Sequence, residues 1–306
     1  MSSISNHRVR GSFESFWSRI KESKTIPPSL RRRCPDGLER YEIESYSRAD
    51  RKRLFWWARP CGSPNIGDHL SLVIVRETLA LQGRHLKDWK PRGNRLLGIG
   101  SIMHFAQTND CIWGAGFNGD VPDGQMAFSD LDVRAVRGPL SRERLLGRGI
   151  ECPEIYGDPA LLTPRFLPEE SLLADRDRER TDWIVVPHYL DDAGSYAGFE
   201  KYLCSPRQYP TVFLRRLLEG RKVVSSSLHG LVLAEAYGRP AVFYDVGSQR
   251  RLKYDDYYRG TGRPRYPVAS SIEQAMTMEA PPPPDLESIS AGLLRAFPYD
   301  RFADHG

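Results

Sequence analysis

The chain has 306 residues, 40% apolar and 27% charged, with a net charge of +5; this is an ordinary globular composition, long enough for about two domains at roughly 150 residues each. A mean hydropathy of -0.50, with no apolar run near the ~20 residues a spanning helix needs, excludes an integral helical membrane protein. Residues 1–30 carry Arg, Glu and Lys but no apolar stretch of the signal-peptide kind, so the expected location is cytoplasmic.

Charge is unevenly distributed. Residues 1–60 hold 14 Lys and Arg against 7 Asp and Glu, densest at Arg31, Arg32 and Arg33. A basic leader over 1–50 suits either a solvated arm or contact with an anionic surface, and a peripheral place at the inner face of the cytoplasmic membrane is one expectation. Basic residues alternating with stacked aromatics are missing there, which argues against nucleic acid. The five cysteines, Cys34, Cys61, Cys111, Cys152 and Cys204, form no CxxC pair; reduced thiols are expected, with neither a zinc site nor a disulfide framework.

From residue 51 strands and helices alternate. Arg53 to Ala58 reads as a buried first strand, and an amphipathic helix starts at Asn65. Leu96 to Ile99, Cys111 to Trp113, Val133 to Val136 and Ile155 to Leu162 read as short strands, with Pro139 in the first turn of a helix. Residues 163–181, with Pro164, Pro168 and a charged run from Asp175 to Asp182, read as an exposed linker or a solvated helix. A second unit follows: strands at Trp183 to Val186, Lys222 to Ser225 and Ala241 to Tyr244, helices at Tyr209 to Leu218 and Leu228 to Tyr237. Pro281 to Pro284 sets off a final helix, Leu286 to Phe297. The expected class is therefore α/β, two Rossmann-like domains facing a cleft, at 51–165 and 182–280, joined by a linker at 166–181 and closed by a helix in 281–306. In such sheets ligands sit beyond the carboxyl ends of the strands, so the turns there carry the chemistry.

Gly114 to Gly119 matches GxGxxG after a strand, but turn residues rather than a helix follow, so a wide loop is the better reading than a dinucleotide site. Asp130 and Asp132 have DxD spacing, yet two carboxylates supply too few oxygens for a metal and read as surface acidity; no metal site is expected. Asn65-Ile-Gly-Asp68 opens a helix: Asn65 reads as a cap, Gly67 lets backbone approach closely, and Asp68 either caps or accepts a hydroxyl proton. Arg137, at a strand end before Gly138-Pro139, suits an anion site with Ser141 and Arg142, or else a pairing with an acidic neighbour. Ser225-Ser226-Ser227-Leu228-His229-Gly230 is the sharpest feature. A strand runs into a helix start with three hydroxyls and an imidazole, groups that hold a phosphate and move a proton near neutral pH.

In their order these turns resemble the polysaccharide pyruvyl transferase family, and most of all its bacterial exopolysaccharide branch. The matching pieces are Asn65 to Asp68, Gly98 to Ser101, Ile112 to Gly116, Val136 to Ser141, Gly157 to Pro159, Val186 to His188, Ser226 to Gly230 with Ala234 to Gly238, and Lys253 to Tyr257. The resemblance implies a glycosyltransferase-B-like fold and transfer of the pyruvyl group of phosphoenolpyruvate onto a sugar, lipid-linked in the expected case, as a cyclic ketal, with no cofactor. It points to His229 and His188 for proton transfer and Asp68 as hydroxyl acceptor. Asn65, Gly67, Gly100, Ser101, Gly114, Arg137, Ser141, Arg142, Ser226, Ser227, Gly230 and Lys253 fall on the substrate side. Some members carry Arg-Leu-His-Gly where this chain has Ser227-Leu-His-Gly230, so Arg137, Lys253 or Arg142 must supply that cation. The alternatives are a glycosyltransferase of the same fold with a nucleotide-sugar donor, and a non-catalytic assembly factor.

Overall fold

Among the described residues, eight short strands form two sheets, and every pairing in them is parallel. β1 (Leu54–Phe55), β2 (Leu96–Leu97), β3 (Cys111–Trp113) and β4 (Asp132–Ala135) lie side by side in chain order. So do β5 (Thr181–Val186), β6 (Gly220–Ser225), β7 (Ala241–Tyr244) and β8 (Val268–Ala269). The computed structural model describes residues 48–57, 65–91, 94–173, 180–247 and 251–303; the leader with Arg31 to Arg33, and Cys34 and Cys61, lie outside them. The described helices are α1 (Arg48–Arg51), α2 (Ile66–Ala80), α3 (Pro139–Leu146), α4 (Thr163–Phe166), α5 (Glu169–Leu173), α6 (Pro210–Leu218), α7 (Leu228–Ala236), α8 (Leu252–Gly260), α9 (Ile272–Thr277) and α10 (Leu286–Arg295). None is long and apolar enough to cross a membrane.

The near-continuous apolar runs in the central strands are what a sheet covered on both faces requires. Side chains alternate between faces, so each strand feeds two clusters. In β3, Cys111 and Trp113 join the main core while Ile112 packs on the far face of the first sheet. In β6 and β7, Val223, Ala241 and Phe243 join that same main core, and Val224, Val242 and Tyr244 pack behind the second sheet. Helix α7 is buried almost throughout, which fits its lack of charge apart from Glu235. The chain then returns to the first half. The Trp113 indole donates to the Leu293 carbonyl at 2.8 Å, its ring meets Phe297 edge-on, and Trp89 packs on Phe302.

One expectation is corrected. Ile155 to Leu162 is not a strand: Tyr156 makes one bridge to Val136, and Asp158 then caps a 3-10 turn over Pro159–Leu162. Pro159 has no N–H for a ladder, and the Asp158 carboxylate takes the free Ala160 N–H at 3.0 Å instead. The stretch from 163 begins with α4 and α5, where Thr163 and Leu172 are buried, while residues 174–179 of the charged run lie outside the described part. Helix α8, which periodicity did not single out, is a central element.

Four of its side chains fix α8. The Asp256 carboxylate accepts from the Arg137 guanidinium at 3.1 Å, the Ser141 N–H at 2.9 Å and the Ser141 hydroxyl at 2.6 Å. Tyr254 donates to the Ser226 carbonyl at 2.5 Å and stacks on Phe243. Tyr257 donates at 2.5 Å to Glu235, which also pairs with Arg263 at 2.7 Å. Lys253 reaches His188. The approach is close enough that a Cβ on Gly138 would sit 1.8 Å from the Asp256 carbonyl oxygen.

Arg137 and Asp256 are both fully buried. Asp256→Ala strands the guanidinium without a counter-charge and is expected to cost about 3–5 kcal/mol. Asp300→Ala, which removes the exposed partner of Arg134, is expected to cost at most about 1 kcal/mol. Urea midpoints of the two variants check the contrast.

Candidate active site

The loops beyond the carboxyl ends of β1, β2, β3, β5 and β6 border one cavity of about 390 Å³, within the usual range for small-molecule sites. Eight residues expected from the sequence line it: Asn65, Asp68, Gly100 and Ser101 from the first half, His188, Ser227, His229 and Lys253 from the second. Trp57, His104, Phe105, Asn118, Asp120 and Tyr189 also line it and were not anticipated. They stand on loops or, for His104 and Phe105, on a 3-10 turn over Met103–Phe105, where no local spacing marks them.

Asn65 makes no capping bond through its side chain, contrary to expectation. Its amide instead donates to Asp68 Oδ2 at 2.6 Å. Burial pushes the Asp68 carboxyl up to about 7, the Asn65 bond pulling the other way. A carboxyl poised there can take or give a proton at neutral pH.

His229 sits in the first turn of α7. Its Nε2 faces Asp158 Oδ2 at 3.7 Å, and neither buried atom has a hydrogen-bond partner among the described residues. Burial lowers the imidazole pKa, and Asp158 opposes that shift. The ring lies flush against α2, where a Cβ on Gly67 would fall 2.1 Å from Nδ1. Glycine at 67 is thus required by close approach, and Asp158, which the sequence marked only as part of a matching turn and gave no role, belongs to the site. A Gly-Asp-Pro turn looks like ordinary loop chemistry until the fold brings it to His229.

His188 stands near the start of the loop after β5. Its backbone N–H donates to Ser226 Oγ at 2.8 Å and Asp191 Oδ2 at 2.9 Å, and the Ser226 and Tyr196 hydroxyls also donate to Asp191. The Leu190 N–H donates to Nδ1 at 3.3 Å, so the neutral ring carries its proton on Nε2. That nitrogen lies 3.3 Å from Lys253 Nζ. Burial first, and Lys253 second, hold the His188 pKa far below the ordinary value. Burial, reinforced by Arg137, brings the Lys253 ammonium down to about 7. A neutral Lys253 accepts the Nε2 proton; a charged one requires the other tautomer. Each change on one group is therefore felt by the other.

The remaining expected residues stand behind the cavity wall. Arg137 is sealed in by Asp256, by the Ser101 hydroxyl at 2.6 Å and by the Phe117 carbonyl at 2.6 Å. Ser141 holds Asp256, and Ser226 holds the His188 loop. Arg142 bonds the Cys152 carbonyl and Glu154, away from the cavity. Of the three candidate cations, Lys253 alone lines the cavity. Gly230 makes room for Ser225 and Val186, and Gly114 packs on Pro159. Asp132 is engaged by Arg134 and Arg301, as surface acidity should be. Among the described residues no group of three His, Cys, Asp or Glu side chains has metal-holding geometry.

The sequence profile of the polysaccharide pyruvyl transferase family matches residues 61–248. The chain is also similar to the succinoglycan biosynthesis protein ExoV of Rhizobium meliloti (strain 1021), 28% identical over 240 residues, which are 72% of this chain and 70% of that protein. No solved structure gives a significant match.

The Lys253 shift has a sign that stability measurements can read. With a folded pKa of about 7 against an unfolded value of about 10.4, the native state binds fewer protons between those values. Stability therefore rises with pH across that window, and the cost of the buried ammonium is fully present below it. The Tm of the wild type minus that of Lys253→Met is expected to increase from pH 7 to pH 9.5, as followed by circular dichroism.

Proposed function

The chain belongs to the polysaccharide pyruvyl transferase family, and on that premise we propose that it transfers the pyruvyl group of phosphoenolpyruvate to a sugar of an exopolysaccharide repeat unit as a cyclic ketal. The observation that carries this reading is one cavity bordered by Asp68, His188, His229 and Lys253, four proton-transfer groups, the first two and the last buried, contributed by both halves of the chain. The cavity is the cleft of two Rossmann-like domains in a glycosyltransferase-B-like arrangement, 51–165 facing 182–280. No metal or organic cofactor takes part. The acceptor is lipid-linked, and the basic leader rests on the anionic inner face of the cytoplasmic membrane.

Phosphoenolpyruvate is a small trianion and suits a site with Lys253 and the amino end of α7 on one wall. Lys253, its ammonium set beside the neutral His188 ring, delivers a proton to C3, which leaves C2 electrophilic. A sugar hydroxyl adds to C2 and gives its proton to Asp68. The C2–O bond to phosphate then breaks, with the electron pair leaving on phosphate, and a second hydroxyl adds and loses its proton to His229. Proton transfer of this kind gives typically ~10²–10⁴-fold per group.

Thermal stabilisation tests the donor. A ligand that binds only the native state adds RT ln(1 + [L]/Kd), about 2.7 kcal/mol at a hundredfold excess over Kd. A rise in Tm with phosphoenolpyruvate, and none with UDP or GDP, is expected. The reverse pattern hands the protein to a nucleotide-sugar glycosyltransferase.

Gly67→Ala tests the place of His229. The added methyl must displace the ring, and a displacement of ~1 Å is expected to lower turnover about 10²-fold, measured as acceptor-dependent phosphate release from phosphoenolpyruvate. Full turnover in that variant, or in His229→Ala, excludes the role given to His229.

A further inference from the structure

The cavity has two chemically different walls. The second half contributes His188, Ser227, His229 and Lys253, all donors or proton carriers, at the amino end of α7. The wall from the first half is aromatic. Trp57 stacks on Phe105 with ring centroids 5.0 Å apart and planes at 14°, and His104 lies 4.0 Å from the same Phe105 ring. All three line the cavity, Trp57 and Phe105 are only half-buried, and Asn118 and Asp120 border the same space.

We propose that the Trp57–Phe105 platform is the seat of the acceptor sugar ring, an assignment that rests on the pyruvyl-transfer reading above. A hexose presents an apolar C–H face that lies well on an aromatic ring, and a rim of hydroxyls that needs acceptors and amides at the edge. Asn118 and Asp120 supply that edge, and Asp68 stands where a hydroxyl can lose its proton. A nucleobase would also stack on the rings. Its phosphates, however, would then meet the carboxylates of Asp68 and Asp120, and no arginine borders the cavity among the described residues. The charge pattern thus sorts the two substrates: the anion goes to the Lys253 wall and the neutral ring to the aromatic one.

Saturation-transfer NMR on the full chain, with methyl β-glucoside and methyl β-galactoside as probes, tests the seat. Ring C–H protons of at least one glycoside should be saturated in the wild type and in Trp57→Phe. In Trp57→Ala the affinity should fall about tenfold, while the Tm shift with phosphoenolpyruvate is unchanged. Phe105→Leu, which keeps apolar bulk and removes the ring, should show the same loss and stands in if Trp57→Ala does not fold. Saturation that is absent in the wild type, or equal in the wild type and the ring-less variants, overturns the seat while leaving the donor reading intact. Ring-dependent glycoside binding without any phosphoenolpyruvate shift overturns the donor reading and leaves the sugar seat standing.

Discussion

The buried pair of Arg137 and Asp256 is the constraint on which the rest of the molecule turns. Arg137 lies two residues past the last strand of the first sheet, and Asp256 lies in the middle of α8, 119 residues later. Two charges taken out of water gain little net stability by themselves, but leaving either one alone is costly. The pairing therefore acts mainly as a selector. Any arrangement that moves α8 away from the β4–α3 turn strands a guanidinium, a carboxylate and the Ser141 N–H together. Glycine at 138 allows the helix to come close enough for these bonds to form.

Lys253 depends on that docking. It lies one turn before Asp256 on α8, and the helix that seats Asp256 against the first half carries Lys253 to His188 in the second. Tyr254, between them, bonds the carbonyl of Ser226, whose hydroxyl holds the His188 backbone. The site is thus assembled from α8 outward, and its two halves are held by one helix.

Burial does the chemical tuning. It raises the Asp68 carboxyl and lowers the Lys253 ammonium to about the same value, near 7. An acid and a base that titrate together near neutral pH can exchange roles within one turnover, which a ketal-forming reaction needs because it both supplies and removes protons. In water these two groups would lie several units apart. Dispersing the site into solvent would return them there.

Local pattern was enough for the α/β class, the two parallel sheets and every described strand except β8, because alternation of apolar runs and turn residues is a short-range signal. It was also enough for the ordered strand-end turns, and eight of the residues in them meet in one cavity. What local pattern could not decide was which of those residues face the cavity and which stand behind it. Arg137 and Lys253 were equal candidates as cations until Asp256 was seen to neutralise the first. Asp158 was one acid in a turn until the fold brought it to His229, and Trp57 was one aromatic in a strand until Phe105 stacked on it. Those distinctions rest on contacts between residues tens to more than a hundred positions apart. Sequence spacing is blind to them, because the desolvation and pairing that define each role exist only once the two sheets and α8 are packed.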